Sequence, residues 1–359
     1  MDTVNSAKNI SNFFKKELGF VNKAALEESY KKNELEVVGN GAGFVHFHHR
    51  KDGQTTIYSL AVKQQYQKKG WGRLLLFRVI CSAIESGCNR IVAKCPTDLP
   101  SNNFYQSFGF YLKTVEPGKK RALNIWEYLI PTPFLFYCAD GGTNKFGQIA
   151  IECGWKVGIR SDLIKNKQIY PWFIDNHWTN YQHNLHLESV KKIKPLLATA
   201  CDIEKPEDVE KIKQQAQEIS QYCGRVLLIP KVRFQVPENF AFWWGYSVPT
   251  SYGGTEIPFD WFGGRPTHLL GGSPKAQAEC SKHLNVVSLD GNMALKLAQQ
   301  FGKSIWQENA GVKIKSGCYE SFRESLLQQF QWWERKRVWR WENEPLFHQL
   351  LLAKKINNL

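Results

Sequence analysis

The chain has 359 residues, 43% of them hydrophobic, with a formal net charge of +14 and 13 tryptophans. That length exceeds one ordinary compact domain, and that apolar share excludes an intrinsically disordered chain, so two packed domains are expected. A basic, aromatic-rich composition suits nucleic acid, a nucleoside or a nucleotide cofactor, although a solvated lysine surface also accounts for the charge.

In chain order, the first 20 residues lack the apolar core of a signal peptide, and no stretch approaches the roughly 20 apolar residues that span a bilayer. Nine cysteines without a CxxC pair exclude a zinc ribbon and a thioredoxin-like motif, and fit reduced thiols. A soluble, cytoplasmic protein is the expectation. Residues 10–32 read as helix, and strands follow at 34–38, 42–49 and 56–62. A helix at 73–86, a strand at 90–95, a short helix at 101–108 and a β pair at 110–115 and 122–129 complete an α+β unit with a mixed sheet over 1–130. Pro131 and Pro133 mark its end.

Beyond them, strand and helix alternate. Strands are expected at 134–139, 156–160, 171–175, 196–201, 225–231, 240–246, 267–271, 285–289 and 303–306, with helices at 144–153, 183–194, 206–222, 274–283 and 292–301. That rhythm predicts a parallel sheet covered by helices, best satisfied by a small (β/α) barrel over 134–310; an open doubly wound sheet is the rival. A helical tail over 319–359, with Trp332, Trp333, Trp339, Trp341 and Leu350 apolar, is expected to pack on it.

The run Gln67-Lys68-Lys69-Gly70-Trp71-Gly72 lies between the strand TIYSLAV and the helix that begins near Arg73. Glycines there free backbone N–H groups, and the helix start adds its positive dipole end, so the turn is a candidate anion cradle. A plain tight turn would explain a lone Gly-x-Gly equally well. The segment NNFYQSFGF follows the next strand. Together LAV, QKKGWG and NNFYQSFGF resemble the GCN5-related N-acetyltransferase (GNAT) superfamily over about residues 34–130. The resemblance implies acetyl-CoA as cosubstrate, held between two splayed central strands. Its pyrophosphate would lie on the 67–72 backbone with Arg73 and Asn103 nearby, and its pantetheine arm along Leu60, Ala61 and Val62. Tyr105 matches the family tyrosine that protonates the departing thiolate. TIYSLAV carries no carboxylate to serve as base, so His46 and His48 on the preceding strand are the alternatives.

Three later strands end in aspartate: PWFIDNHW (Asp175), LATACDIE (Asp202) and VVSLDGNM (Asp290). In a barrel such ends converge on one mouth; singly, each aspartate could simply cap a helix. Asp140 in FYCADGG reads more as a turn. The order resembles tRNA-guanine transglycosylases and relatives that insert deazapurines into DNA. That resemblance implies base recognition by Asp175 and Asp202, close backbone approach at Gly271 and Gly272, and Asp290 as nucleophile at the sugar C1′. The family's cysteine-rich zinc site is absent, as is a basic tRNA-reading segment after Asp290, which puts tRNA as substrate in doubt and leaves DNA or a free nucleoside possible. His177, His183 and His186 could form a metal site or a polar surface. The aromatic run 240–264 could stack bases or pack a loop. Two alternatives stay open: a non-catalytic barrel that presents substrate, and a toxin-like acetyltransferase acting on charged tRNA.

Overall fold

Six strands form a first sheet: β1 (Leu35–Val38), β2 (Gly43–His49), β3 (Gln54–Val62), β4 (Arg90–Pro96), β5 (Tyr111–Glu116) and β6 (Leu123–Leu129), in the order β1-β2-β3-β4-β6-β5. The computed structural model describes residues 2–19, 21–139, 142–164, 170–237, 240–251, 253–305 and 318–338. Every neighbouring pair is antiparallel except β3 with β4. A parallel pair requires a crossover, and α4 (Trp71–Glu85) provides it. One sheet face is covered by α1 (Thr3–Phe13), α2 (Lys15–Leu18) and α3 (Lys23–Lys31), with Val4, Ile10 and Leu26 against Leu35, Phe44 and Ala61. The other face holds α4, through residues such as Leu75 and Val79 against Phe47 and Ile57. The short α5 (Ser101–Phe108) follows β4. The single helix expected over 10–32 is three helices. Gly19 turns the chain at φ +73°, and the Asn22 side chain accepts from the Ala24 N–H to start α3 afresh.

The rest of the described chain is a closed barrel. Its strands are β7 (Phe134–Tyr137), β8 (Lys156–Arg160), β9 (Phe173–Asp175), β10 (Leu197–Ile203), β11 (Arg225–Pro230), β12 (Trp243–Ser247), β13 (Thr267–Leu270) and β14 (Val286–Asp290). They are parallel throughout, and β14 closes the ring on β7 with Ser288 opposite Phe134. Around them lie α6 (Lys145–Glu152), α7 (His183–Ile193), α8 (Val209–Ser220), α9 (Pro274–Cys280), α10 (Met293–Phe301) and α11 (Cys318–Val338). The strand expected at 303–306 is not one: residues 303–305 carry no strand, and 306 lies outside the described residues. Closure by β14 leaves no edge for a ninth strand to join. Between β11 and β13 the connections hold no α-helix among the described residues, which is how eight strands fit into so short a segment. Phe322 and Leu326 of α11 join the barrel core, and the Trp155 indole N–H donates to the Leu326 carbonyl at 3.2 Å. Trp339, Trp341 and Leu350 lie outside the described residues. No described helix is long and apolar enough to cross a membrane.

The outward face of α4 docks on the N-terminal end of the barrel. Phe77 meets the Trp172 ring at 4.7 Å, and Arg78 donates to the Ser220 carbonyl at 2.9 Å and to Glu36 at 2.8 Å. Glu85 accepts two bonds from Arg225, both 2.7 Å, and one from the Trp243 indole at 2.6 Å. The first residues of several barrel strands, Phe134, Phe173, Leu197 and Trp243, share one apolar cluster with α4. A side chain on Gly224 would begin 2.5 Å from the Leu196 carbonyl and 3.1 Å from the Cys81 sulfur, so only glycine permits this approach. The opposite, C-terminal mouth of the barrel therefore faces away from the sheet. Glu85→Ala should destabilise the protein by about 2 kcal/mol, because it strands a largely buried guanidinium and an indole N–H. Denaturant unfolding checks this; an unchanged midpoint would mean that the contact carries no docking energy.

Candidate active sites

The first site starts where two strands part. β3 and β4 pair from Gln54 opposite Arg90 to Ile57 opposite Ala93 and no further. Beyond that point β3 stays with β2 as far as Val62, and β4 stays with β6 as far as Pro96. The register between β2 and β3 slips at Tyr58, since His46 faces Ser59 while Phe47 faces Ile57. Such a bulge bends and twists its strand, here steering β3 off β4. The resulting wedge leaves the backbone edge along Ser59, Leu60, Ala61 and Val62 without a strand partner on the β4 side. The side chains of Ala61 and Val62 are buried, so that edge is offered by main chain.

At the far end of β3 lies the glycine turn. Lys68 (φ +58°) and Gly70 (φ +82°) are left-handed, and α4 begins at Trp71 with no side chain capping it. The first N–H groups of α4 are thus available to an anion. Gln67 holds the turn to β3, donating from Nε2 to the Val62 carbonyl at 3.0 Å. Lys68 and Lys69 are exposed. Phe104 lies 3.3 Å from where a Gly72 side chain would begin, which places α5 against the turn. Two side chains beside the cradle are engaged in docking. The Arg73 guanidinium donates to the carbonyls of Tyr170 and Pro171 and lies over the Phe77 and Tyr170 rings. The Trp71 indole packs against Gly39 and faces Tyr222 at 6.4 Å. Only their backbone remains at the cradle. Asn103 is exposed, whereas its neighbour Asn102, which sequence reasoning passed over, ties α5 to both flanking strands. It donates to the Pro96 and Leu99 carbonyls and accepts from the Trp126 indole, all at 2.8 Å.

Tyr105 is buried among Phe104, Phe110 and Trp126. Burial, and secondarily the nearby Cys95, holds its phenol above the ordinary tyrosine range, so it stays protonated. His46 sits opposite the bulge, 5.2 Å from the Tyr58 ring, with Nε2 2.9 Å from the Ser29 hydroxyl. Burial lowers its pKa, which leaves it neutral at pH 7. His48 is instead paired with Glu34 at 2.9 Å. Glu34, buried and also accepting from the His49 N–H at 2.9 Å, opens the first expected strand and escaped the sequence reading because only TIYSLAV was searched for a carboxylate.

The second site is the barrel mouth. Asp175 and Asp290 end β9 and β14, and Asp202 lies one residue from the end of β10. Asp175 accepts from the Asn176 N–H at 2.9 Å and the Thr199 hydroxyl at 3.1 Å. Burial, then the charge of Asp290 and to a lesser degree Asp202, pushes it up to about 7. Asp290 accepts from the Gly271 N–H at 2.7 Å and is raised by burial to about 6. Asp202, raised by burial, lies 3.5 Å from Lys231. Asp175 therefore senses both other carboxylates, Asp290 more strongly than Asp202, whose own partner is Lys231. Cys138 joins them: burial and the charges of Asp290 and Asp175 hold its thiol well above the usual range. Below, the fully buried His268 bonds Ser288 at 2.8 Å through Nδ1, and its Nε2 stands 4.0 Å from Asp290. Burial lowers its pKa to about 3. Cys138 could have been found by the same strand-end rule; His268, in mid-strand, gave no signal.

Gly271 (φ +66°) has open space where a side chain would begin, while at Gly272 that position is 2.5 Å from Val248. The first leaves the mouth open; the second permits packing. Asp140 lies outside the described residues. His183 bonds Glu218 at 2.8 Å and His186 bonds the Thr199 carbonyl at 2.8 Å, so they do not converge. Among the described residues no cluster of three or more ligand-type side chains could hold a metal ion. The aromatic run packs on itself: Trp244 is 1% exposed, 4.6 Å from Phe240 and 5.1 Å from Trp261, which makes that part of it core and not a stacking platform.

A model described as the acetyltransferase (GNAT) family matches residues 21–110, which contain the wedge and the glycine turn. A second, described as a family of unknown function (DUF6610), matches residues 150–334. No curated protein matches the chain. Among solved structures, Ard1 from Thermoplasma volcanium is 16% identical, with 35% of this chain and 90% of that one covered and a TM-score of 0.32. The ribosomal-protein-S18-alanine N-acetyltransferase from Escherichia coli is 19% identical over 36% and 90% of the two chains, TM-score 0.29. A Bacillus subtilis acetyltransferase in complex with CoA is 20% identical over 24% and 68%, TM-score 0.22. The N-terminal part of the chain is thus a GNAT-family acetyltransferase domain, and, matched over more than half its length, the chain belongs to the DUF6610 family.

Proposed function

We propose that the chain is an acetyl-CoA-dependent N-acetyltransferase whose barrel recognises, and acts on, a nucleobase. The observation that carries the first part is the parting of β3 from β4 beside the uncapped start of α4. The residues fit an acyl-CoA: an amide-bearing arm can pair with the Ser59–Val62 edge, and its diphosphate can accept from the first N–H groups of α4. In the transfer, the amine nitrogen of the acceptor forms a bond to the acyl carbon and the carbon–sulfur bond breaks. His46, neutral at pH 7, takes the proton that the nitrogen sheds, and the Tyr105 hydroxyl gives one to the departing sulfur.

Gly70→Val tests the cradle. There is room for the side chain, since Lys194 is an ordinary 3.5 Å away, but a β-branched residue is strained at φ +82°. Acetyl-CoA affinity should fall by at least about tenfold as the turn rearranges. Calorimetry showing undiminished binding would refute the assignment.

A specific observation supports the second part. Three carboxylates with raised pKa values share one mouth beside the open Gly271, and crowded carboxylates call for a ligand rich in N–H donors, which a purine supplies. In this reading Asp290, held by the Gly271 N–H at 2.7 Å beside the open Gly271 position, forms the bond to C1′ as the N-glycosidic bond breaks and the outgoing base leaves with its electron pair; the incoming base reverses the step. Asp290→Asn should abolish base exchange on DNA and tRNA substrates while leaving acetyl transfer unaltered. Exchange at the wild-type rate in that variant would leave the barrel a binding module.

A further inference from the structure

Lys194 belongs to the barrel yet lies against the glycine turn of the acetyltransferase. It follows α7 in a left-handed conformation, φ +53°. Its stem runs 3.5 Å from where a Gly70 side chain would begin, and its ammonium stands 4.5 Å over the Trp71 ring. Only 8% of the residue is exposed. Nζ donates one bond, to the Lys191 carbonyl at 2.8 Å. An ammonium has three protons to donate, and no carboxylate pairs with this one among the described residues. Burial accordingly lowers its pKa.

The glycine turn beside it is positive. The N-terminal end of the 15-residue α4 points its dipole here, and Lys68 and Lys69 stand exposed on the same turn. A buried cation beside a positive helix end is electrostatically costly unless an anion completes the cluster. We infer that Lys194 is a cross-unit phosphate ligand, which binds the phosphates of the nucleotide half of the acyl-CoA together with the Gly70 turn. The cofactor site is then complete only with the barrel docked. The inference rests on the acetyl-CoA reading above.

The test is calorimetry of the full chain with coenzyme A at low and at moderate salt. Lys194→Met, which keeps the stem over Trp71, should bind about tenfold more weakly and with a shallower salt dependence. Lys194→Arg should restore most of the affinity. A Met variant with wild-type affinity would overturn the inference while leaving the acetyl-CoA reading intact. Weakened binding with an unchanged salt dependence would also overturn it, since that marks lost packing and not lost charge. Failure of the wild-type chain to bind coenzyme A would remove both.

Discussion

Tyr105→Phe is expected to lower the rate of acetyl transfer roughly 100-fold while leaving acetyl-CoA affinity nearly unchanged. The ring is clamped between Phe104, Phe110 and Trp126, so phenylalanine keeps the packing and removes only the hydroxyl. Burial raises the phenol's pKa, which keeps the proton in place until a thiolate, a far stronger base than water, arrives to take it. The loss should therefore fall on kcat with little change in KM. Steady-state kinetics with any accepted amine separate the two. Equal rates for both forms would return Tyr105 to a purely packing role.

The second large effect concerns the barrel mouth and pH. Asp175 has a folded pKa raised to about 7, above its unfolded value. Between that unfolded value and about 7 the folded state binds the extra proton, so this group's contribution to stability is greatest at acid pH and is lost as pH rises through 7. Asp290, raised to about 6, acts in the same direction. Asp175→Asn removes the charge and keeps an oxygen to accept from Asn176 and Thr199. It should stabilise the chain by on the order of 2 kcal/mol at pH 8 and by much less at pH 5. Thermal unfolding at the two pH values checks this. A variant less stable than wild type at pH 8 would show that the carboxylates are not crowded.

The two architectures were legible because their signals are local. Alternating strands and helices announced the barrel, and an apolar run ending in aspartate recurred at Asp175, Asp202 and Asp290. The strand–glycine turn–helix unit at 56–86 was equally plain. What escaped depends on partners far along the chain. Arg73 looks like a cofactor ligand beside Gly72, yet its guanidinium is held by carbonyls nearly a hundred residues later, at Tyr170 and Pro171. Lys194 carries no motif, and only docking of α4 on the barrel brings it to Gly70. The supposed strand at 303–306 has the right composition but no free edge to join, a fact of ring closure that no local pattern records. Asn102 and Asn103 differ by one position on α5; helix phase alone decided which one bonds the flanking strands.

The most direct test of the central claim is a crystal structure of the full chain grown with coenzyme A. The account predicts the diphosphate against the N–H groups that follow Gly70, with Lys194 beside it, and the pantetheine arm paired with the β3 edge from Ser59 to Val62. Coenzyme A bound elsewhere, with the wedge between β3 and β4 closed or empty, would contradict it.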